Sequence, residues 1–188
     1  HFDHLGGLER LDKICQIDSY IFNDIDYDSQ AYAQIYDFID KNKRLKTYED
    51  DILKLNDLYL ETLWPTRKFL HTFKNVNDTS IVQFLDINDF EILLLGDVEQ
   101  EALSKIDFNK VFHLVDGGLD VLKVSHHGSK TGLSKELIEK FRPIYCVISV
   151  GEENKFGHPH REVVDYLESQ NCKVLRTDQK GTVTFYIK

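Results

Sequence analysis

His1-Phe2-Asp3-His4-Leu5-Gly6-Gly7 is the stretch that decides the fold. Two imidazoles and a carboxylate within four positions are divalent-metal ligands. Zinc takes neutral imidazole and carboxylate oxygen at about 2.0–2.2 Å. On a turn that follows a strand, residues one and two apart point into one cavity. Gly6 and Gly7 let the backbone turn sharply beside such a centre. The chain has no methionine, and we read it as part of something longer.

Working outward, six of the eight histidines fall in three close pairs: His1/His4, His126/His127 and His158/His160. A lone histidine is most often a surface or satisfied core residue, and His71 and His113 fit that reading. Three pairs, each beside a glycine, do not. Each polar cluster also follows an apolar run. Gly96-Asp97 follows residues 90–95, His126-His127-Gly128-Ser129 follows 121–125, and Gly157-His158-Pro159-His160 lies beyond 145–150. Strand ends in α/β sheets are where sites assemble. Asp97 alone would be an ordinary Gly-Asp turn. With Asp3 and His4 upstream it becomes a carboxylate fit to bridge two cations roughly 4 Å apart.

The remaining pattern predicts an α/β chain. Residues 52–55 and 58–63 predict a hairpin around Asn56-Asp57, stopped by Pro65. Residues 80–85 and 90–95 predict a second. Helices are expected at 29–43 with Ser29 as N-cap, at 99–106, at 133–141 with Ser134 as N-cap, and at 161–170. Buried strands are expected at 121–125 and 145–150, and closing strands at 173–176 and 182–187. We expect one domain over 1–188. Of three cysteines, Cys146 reads as a buried thiol, and an odd count gives no disulfide framework. No apolar run reaches the ~18 residues of a membrane span. A net charge of −9 argues weakly against an unaided nucleic-acid surface. A metal centre would bring its own positive charge.

The opening run resembles the second half of the His-x-His-x-Asp-His signature of metallo-β-lactamase-fold hydrolases. The resemblance sharpens along the chain. Asn77-Asp78-Thr79-Ser80, Leu95-Gly96-Asp97, Ser125-His126-His127-Gly128-Ser129-Lys130-Thr131, Ser149-Val150-Gly151 and Gly157-His158-Pro159-His160 follow in order. Together they look like the C-terminal metallo-β-lactamase-like domain of the ComEC family of bacterial DNA-uptake proteins. Stand-alone hydrolases of the same subgroup share these motifs.

The resemblance implies an αββα sandwich, truncated at its N-terminus because the first strands and first signature histidine precede residue 1. Such a chain should expose apolar surface and fold poorly alone. The resemblance also implies two divalent ions, zinc or manganese. His1 would bind the first metal, Asp3 and His4 the second, and Asp97 both. One of His126 and His127 would complete the second site. His158 would be a ligand or proton donor, with His160 a weaker candidate beside it. Asp3, His158 and His160 are thus the catalytic candidates. Asn77 and Ser80 occupy a segment where many relatives of the wider fold carry another histidine. With Ser129 and Lys130 they are candidate substrate contacts.

The implied reaction is hydrolysis of a phosphodiester in single-stranded DNA during natural transformation. The domain would be fused to a transmembrane channel upstream and face the extracytoplasmic side. Rival readings are a secreted or cytoplasmic lactonase, β-lactamase or esterase on the same scaffold, and a non-catalytic metal-binding domain.

Overall fold

The computed structural model describes residues 4, 6–23, 25, 30–69 and 72–187. His1, Asp3, His71 and the expected cap Ser29 lie outside the described residues. The chain divides into two compact units, 1–47 and 48–188.

The first unit contains helix α1 (Leu8–Ile14), strand β1 (Tyr20–Phe22), helix α2 (Gln30–Phe38) and strand β2 (Arg44–Lys46). β1 and β2 pair in parallel, Tyr20 opposite Arg44 and Phe22 opposite Lys46. Tyr20, Ile35 and Ile39 form its core. The helix expected to run to residue 43 stops at Phe38. Arg44 explains the stop: its guanidinium donates to the carbonyls of Tyr36 and Ile39, which the last helical turn leaves open. A 3₁₀ turn over Lys41–Lys43 follows, capped by the Asp40 carboxylate, which accepts from Asn42 N at 2.8 Å.

The second unit is α/β, built on one mixed seven-stranded sheet in the order β3-β4-β5-β6-β7-β8-β9. The strands are β3 (Ile52–Leu55), β4 (Leu58–Trp64), β5 (Val82–Ile87), β6 (Glu91–Leu94), β7 (Val121–Lys123), β8 (Tyr145–Ile148) and β9 (Lys173–Arg176). β3 through β6 run antiparallel, joined by the two expected hairpins. β6 through β9 run parallel. Parallel neighbours need crossovers. These carry α3 (Gln100–Leu103), α4 (Asn109–Phe112), α5 (Lys135–Phe141) and α6 (Arg161–Ser169). Ser134 caps α5 as expected, accepting from Leu137 N. The sheet and helices enclose Trp64, Phe84, Leu93, Leu122, Phe141, Ile148 and Leu167, all almost wholly buried. Trp64 is wholly enclosed by this core.

Two expectations fail here. Residues 182–187 form no strand. The chain instead makes a one-turn helix α7 (Thr177–Lys180) and then runs on without regular pairing. Cys146 is not a free thiol. It is disulfide-bonded to Cys172, with Cα atoms 5.9 Å apart, tying β8 to the turn before β9. Cys15 is the odd cysteine, free and exposed. An odd count was the wrong guide, because one exposed thiol can stand beside a buried pair.

At the N-terminal end of the parallel strands, buried Glu91 meets Asp120. The Glu91 amide donates to Asp120 Oδ2 at 2.9 Å. Burial first, and then the hydrogen bond and charge of Asp120, push the Glu91 carboxyl up to about 7. A carboxyl raised on folding binds its proton more tightly in the native state. Its stabilising effect is complete below the ordinary value of 4.5 and fades as pH rises toward 7. Glu91→Gln keeps a donor for Asp120 without the ionisation. The variant should melt above the wild type at pH 8, with the gap closing by pH 4.5. Melting curves across that range check it, and an unchanged gap would show that Glu91 titrates normally.

Candidate metal centre

The register of the parallel strands builds the site. Leu94 pairs with Lys123, and Lys123 with Val147. Three residues beyond each stand Asp97, His126 and Val150, so three loops leave the same sheet edge together.

Each loop is pinned. Gly96 has φ +57°, and a Cβ there would meet Ser80 Cβ at 2.9 Å. Its carbonyl accepts from His126 N at 3.1 Å. Ser125, fully buried, donates to Val98 O. Buried Asp78 accepts from Glu99 N at 2.8 Å and Ala102 N at 3.3 Å, serving the first turn of α3 from a distance. The Trp64 indole donates to the Asp78 carbonyl at 2.6 Å. The core thereby anchors the loop that carries Asp97.

His126 and His127 both adopt left-handed backbone, with φ of 44° and 54°, and Gly128 follows at 81°. Such values are uncommon for non-glycine residues and persist where surroundings enforce them. The turn sends consecutive imidazoles to different walls. His127 Nδ1 lies 2.6 Å from the Ser149 carbonyl. A carbonyl only accepts, so Nδ1 donates, and Nε2 is the nitrogen that faces Asp97. It stands 3.6 Å from Oδ1 of buried Asp97. His126 Nδ1 lies 3.1 Å from Glu99 Oε1. Burial favours a neutral Glu99, but hydrogen bonds from Asn77, Asn75 and Thr131 and the charge of His126 outweigh it and hold the carboxyl low.

The Gly157-His158-Pro159-His160 loop folds against this turn. Gly128 O accepts from His160 N at 3.0 Å. Asn154 holds the loop from inside: its Oδ1 accepts from His158 N at 2.9 Å, and its Nδ2 donates to His158 O at 2.7 Å. The His158 ring lies 5.4 Å from that of His126 and 5.0 Å from that of His160. Burial lowers the His158 pKa, and His126, His160 and His127 lower it further against the pull of Asp97. His158 is therefore neutral at pH 7. Buried His160 Nδ1 makes no hydrogen bond among the described residues.

These residues fit a divalent cation. In its neutral form the His127 ring offers an Nε2 lone pair toward the Asp97 oxygen, a nitrogen and oxygen pair that a cation can take. Borderline metals take this nitrogen and oxygen set. His127 is backed by a carbonyl and His126 by a carboxylate, the supports that orient metal-ligating imidazoles. Of the two, His127 is the one beside Asp97. His4 belongs to the first unit and is exposed there.

The four candidate substrate contacts have structural partners. Asn77 Nδ2 donates to Glu99 Oε1 at 3.0 Å. Ser80 packs on Gly96. Ser129 Oγ accepts from Thr131 N, capping a short turn. Lys130 pairs with Glu162 at 2.9 Å across the surface. Sequence reasoning passed over Asp78, Glu99, Asn154 and Lys123. Half-buried Lys123 donates to Val124 O at 2.9 Å, and desolvation lowers its pKa against the attraction of Asp97. Asp78 sat inside a quoted motif. Asn154 had no signal beyond its place four residues before His158.

The loop contact has a testable consequence. A Cβ on Gly128 would lie 2.6 Å from Pro159 Cβ and 3.2 Å from Pro159 Cα, at a φ that side chains rarely adopt. Gly128→Ala should destabilise by about 2 kcal/mol or more, from backbone strain and overpacking. Gly151→Ala, where nothing lies within 4 Å, should be near neutral. Urea unfolding of both checks this, and equal stabilities would show that the loops do not pack as described.

No protein-family model matches the chain. Individual proteins do. ComE operon protein 3 of Bacillus subtilis (strain 168) is 34% identical over 138 residues, covering 73% of this chain and 17% of that protein. Recombination protein 2 of Haemophilus influenzae is 35% identical over 107 residues, 57% of this chain and 13% of that protein. Competence protein ComA of Neisseria gonorrhoeae is 37% identical over 114 residues, 60% of this chain and 16% of that protein. The chain thus matches less than a fifth of the length of each relative. Among the described residues no helix is long and apolar enough to cross a membrane. Over more than half of its length, this chain is homologous to the ComEC family of competence proteins.

Proposed function

We propose that this chain is a metal-dependent phosphodiesterase acting on single-stranded DNA during DNA uptake. The observation that carries the reading is the Asp97–His127 pair at 3.6 Å, with the imidazole held by Ser149 and the carboxylate buried. Competence and recombination names among the relatives support DNA as the substrate class.

In this reading Asp97 and His127 hold the cation. Two divalent ions, zinc or manganese, would supply a water-derived nucleophile near neutral pH and offset charge on the phosphoryl oxygens. Glu99 orients His126. Neutral His158 serves better as ligand or acceptor than as proton donor, and His160 stands behind it. The disulfide between Cys146 and Cys172 supports an oxidising, extracytoplasmic setting.

The test is cleavage of single-stranded DNA by the full natural chain, with added Mn²⁺ or Zn²⁺ against EDTA. Cutting that needs the metal is the expected result. Bound metal with intact DNA would refute the nuclease and leave a small-molecule ester or lactone as substrate.

A further inference from the structure

Phe156 is a large apolar side chain left 78% exposed on the loop that carries the candidate histidines. Its ring lies 6.1 Å from that of His158, at an interplanar angle of 28°. His158 in turn lies 5.4 Å from His126. The three rings form a path from solvent to the Asp97–His127 wall. One face of Phe156 is turned to His158, and the rest is open to solvent. The loop does not wander: Asn154 clamps it through both His158 backbone groups, and His160 N ties it to Gly128. Lys155 precedes Phe156 in sequence and is exposed, as is Arg161, which lies 3.5 Å from Asp165; Glu152 and Glu153 are exposed earlier on the loop.

A pinned, exposed aromatic face, next to Lys155 in sequence and one ring away from the candidate centre, matches how single strands are gripped. Bases stack on aromatic side chains while basic groups follow the phosphates. We propose that Phe156 is a base-stacking platform that selects unpaired DNA and sets a flanking phosphodiester against His158. This rests on the phosphodiesterase reading and adds to it the residue that grips the single strand. A duplex keeps its bases stacked on one another and offers Phe156 no free face.

The test uses the full natural chain in EDTA, so that nothing is cut. Affinity for a fluorescein-labelled oligothymidylate of about twelve nucleotides is read by anisotropy. Phe156→Ala and Phe156→Leu should each weaken binding about tenfold, and Phe156→Trp should preserve it. The leucine variant keeps apolar bulk and loses the π face. Affinity for a duplex of the same length should not change. An exposed site spares folding, so a loss reports contact. The proposal is overturned if Phe156→Ala binds the single strand like wild type, or if the duplex loses affinity equally. It is also overturned if the substitution releases the chain from anionic phospholipid vesicles while leaving oligonucleotide affinity intact. Failure of metal-dependent cleavage, with the affinity pattern present, would sink the phosphodiesterase reading alone.

Discussion

Asp97→Asn should lower metal-dependent cleavage of single-stranded DNA by about a thousandfold or more. A cation at a phosphoryl centre supplies several kcal/mol of transition-state stabilisation, and each 1.36 kcal/mol is tenfold in rate. Asparagine keeps the shape of the side chain but not its charge. One arm of it would also present an amide donor toward the cation. The substitution should therefore lower metal affinity as well, read by calorimetric titration of the metal-free protein with Zn²⁺. The carboxylate is buried, and removing its charge relieves a desolvation cost. The variant should then melt no lower than wild type in EDTA. Full cleavage with one metal fewer bound would show that Asp97 holds a dispensable ion.

Reduction of the Cys146–Cys172 disulfide should lower stability by about 3–4 kcal/mol. The bond closes a loop across a sequence separation of 26, and chain-entropy arguments assign a cross-link of that span this magnitude. Folded domains hold only about 5–15 kcal/mol in all, so the fall is large. Urea unfolding with and without reductant measures it. Replacing both cysteines by alanine should reproduce the reduced curve and remove the effect of reductant. No response to reductant in the wild type would mean that the bond is absent in solution.

What the sequence disclosed follows from the range of the interactions involved. Hairpins through Asn56-Asp57 and after Asp86 are local, and they were legible to within two residues. So was the Ser134 cap. Strand ends carrying Asp97 and His127 were legible because an apolar run followed by Gly-Asp or His-His-Gly is a local pattern. Long-range partners were not. Asp78 serves the first turn of α3 from 21 residues away. His127 takes its orientation from a carbonyl 22 residues away. Cys172 finds Cys146 only because β8 and β9 are neighbours. Which of His126 and His127 stands beside Asp97 also needed the structure, since both share one motif and only the left-handed turn separates their directions. Phe38 shows the opposite error: it falls in the middle of the helix expected over 29–43, yet is 40% exposed because α2 ends there.

The loop from Gly151 to His160 also bears on how such a protein changes over generations. Its two fixed points are Asn154 with His158, and His160 with Gly128. Between them, Lys155, Phe156 and Gly157 touch little of the fold. Asp97 and His127 sit on separate segments, braced by the core and by Ser149. Mutation can thus alter Lys155 and Phe156 without disturbing the residues suited to hold a cation, whereas Gly157, at φ +70°, is held to glycine by its backbone. Diversity among descendants should gather at those two positions, so that the exposed face varies while the pinned residues persist.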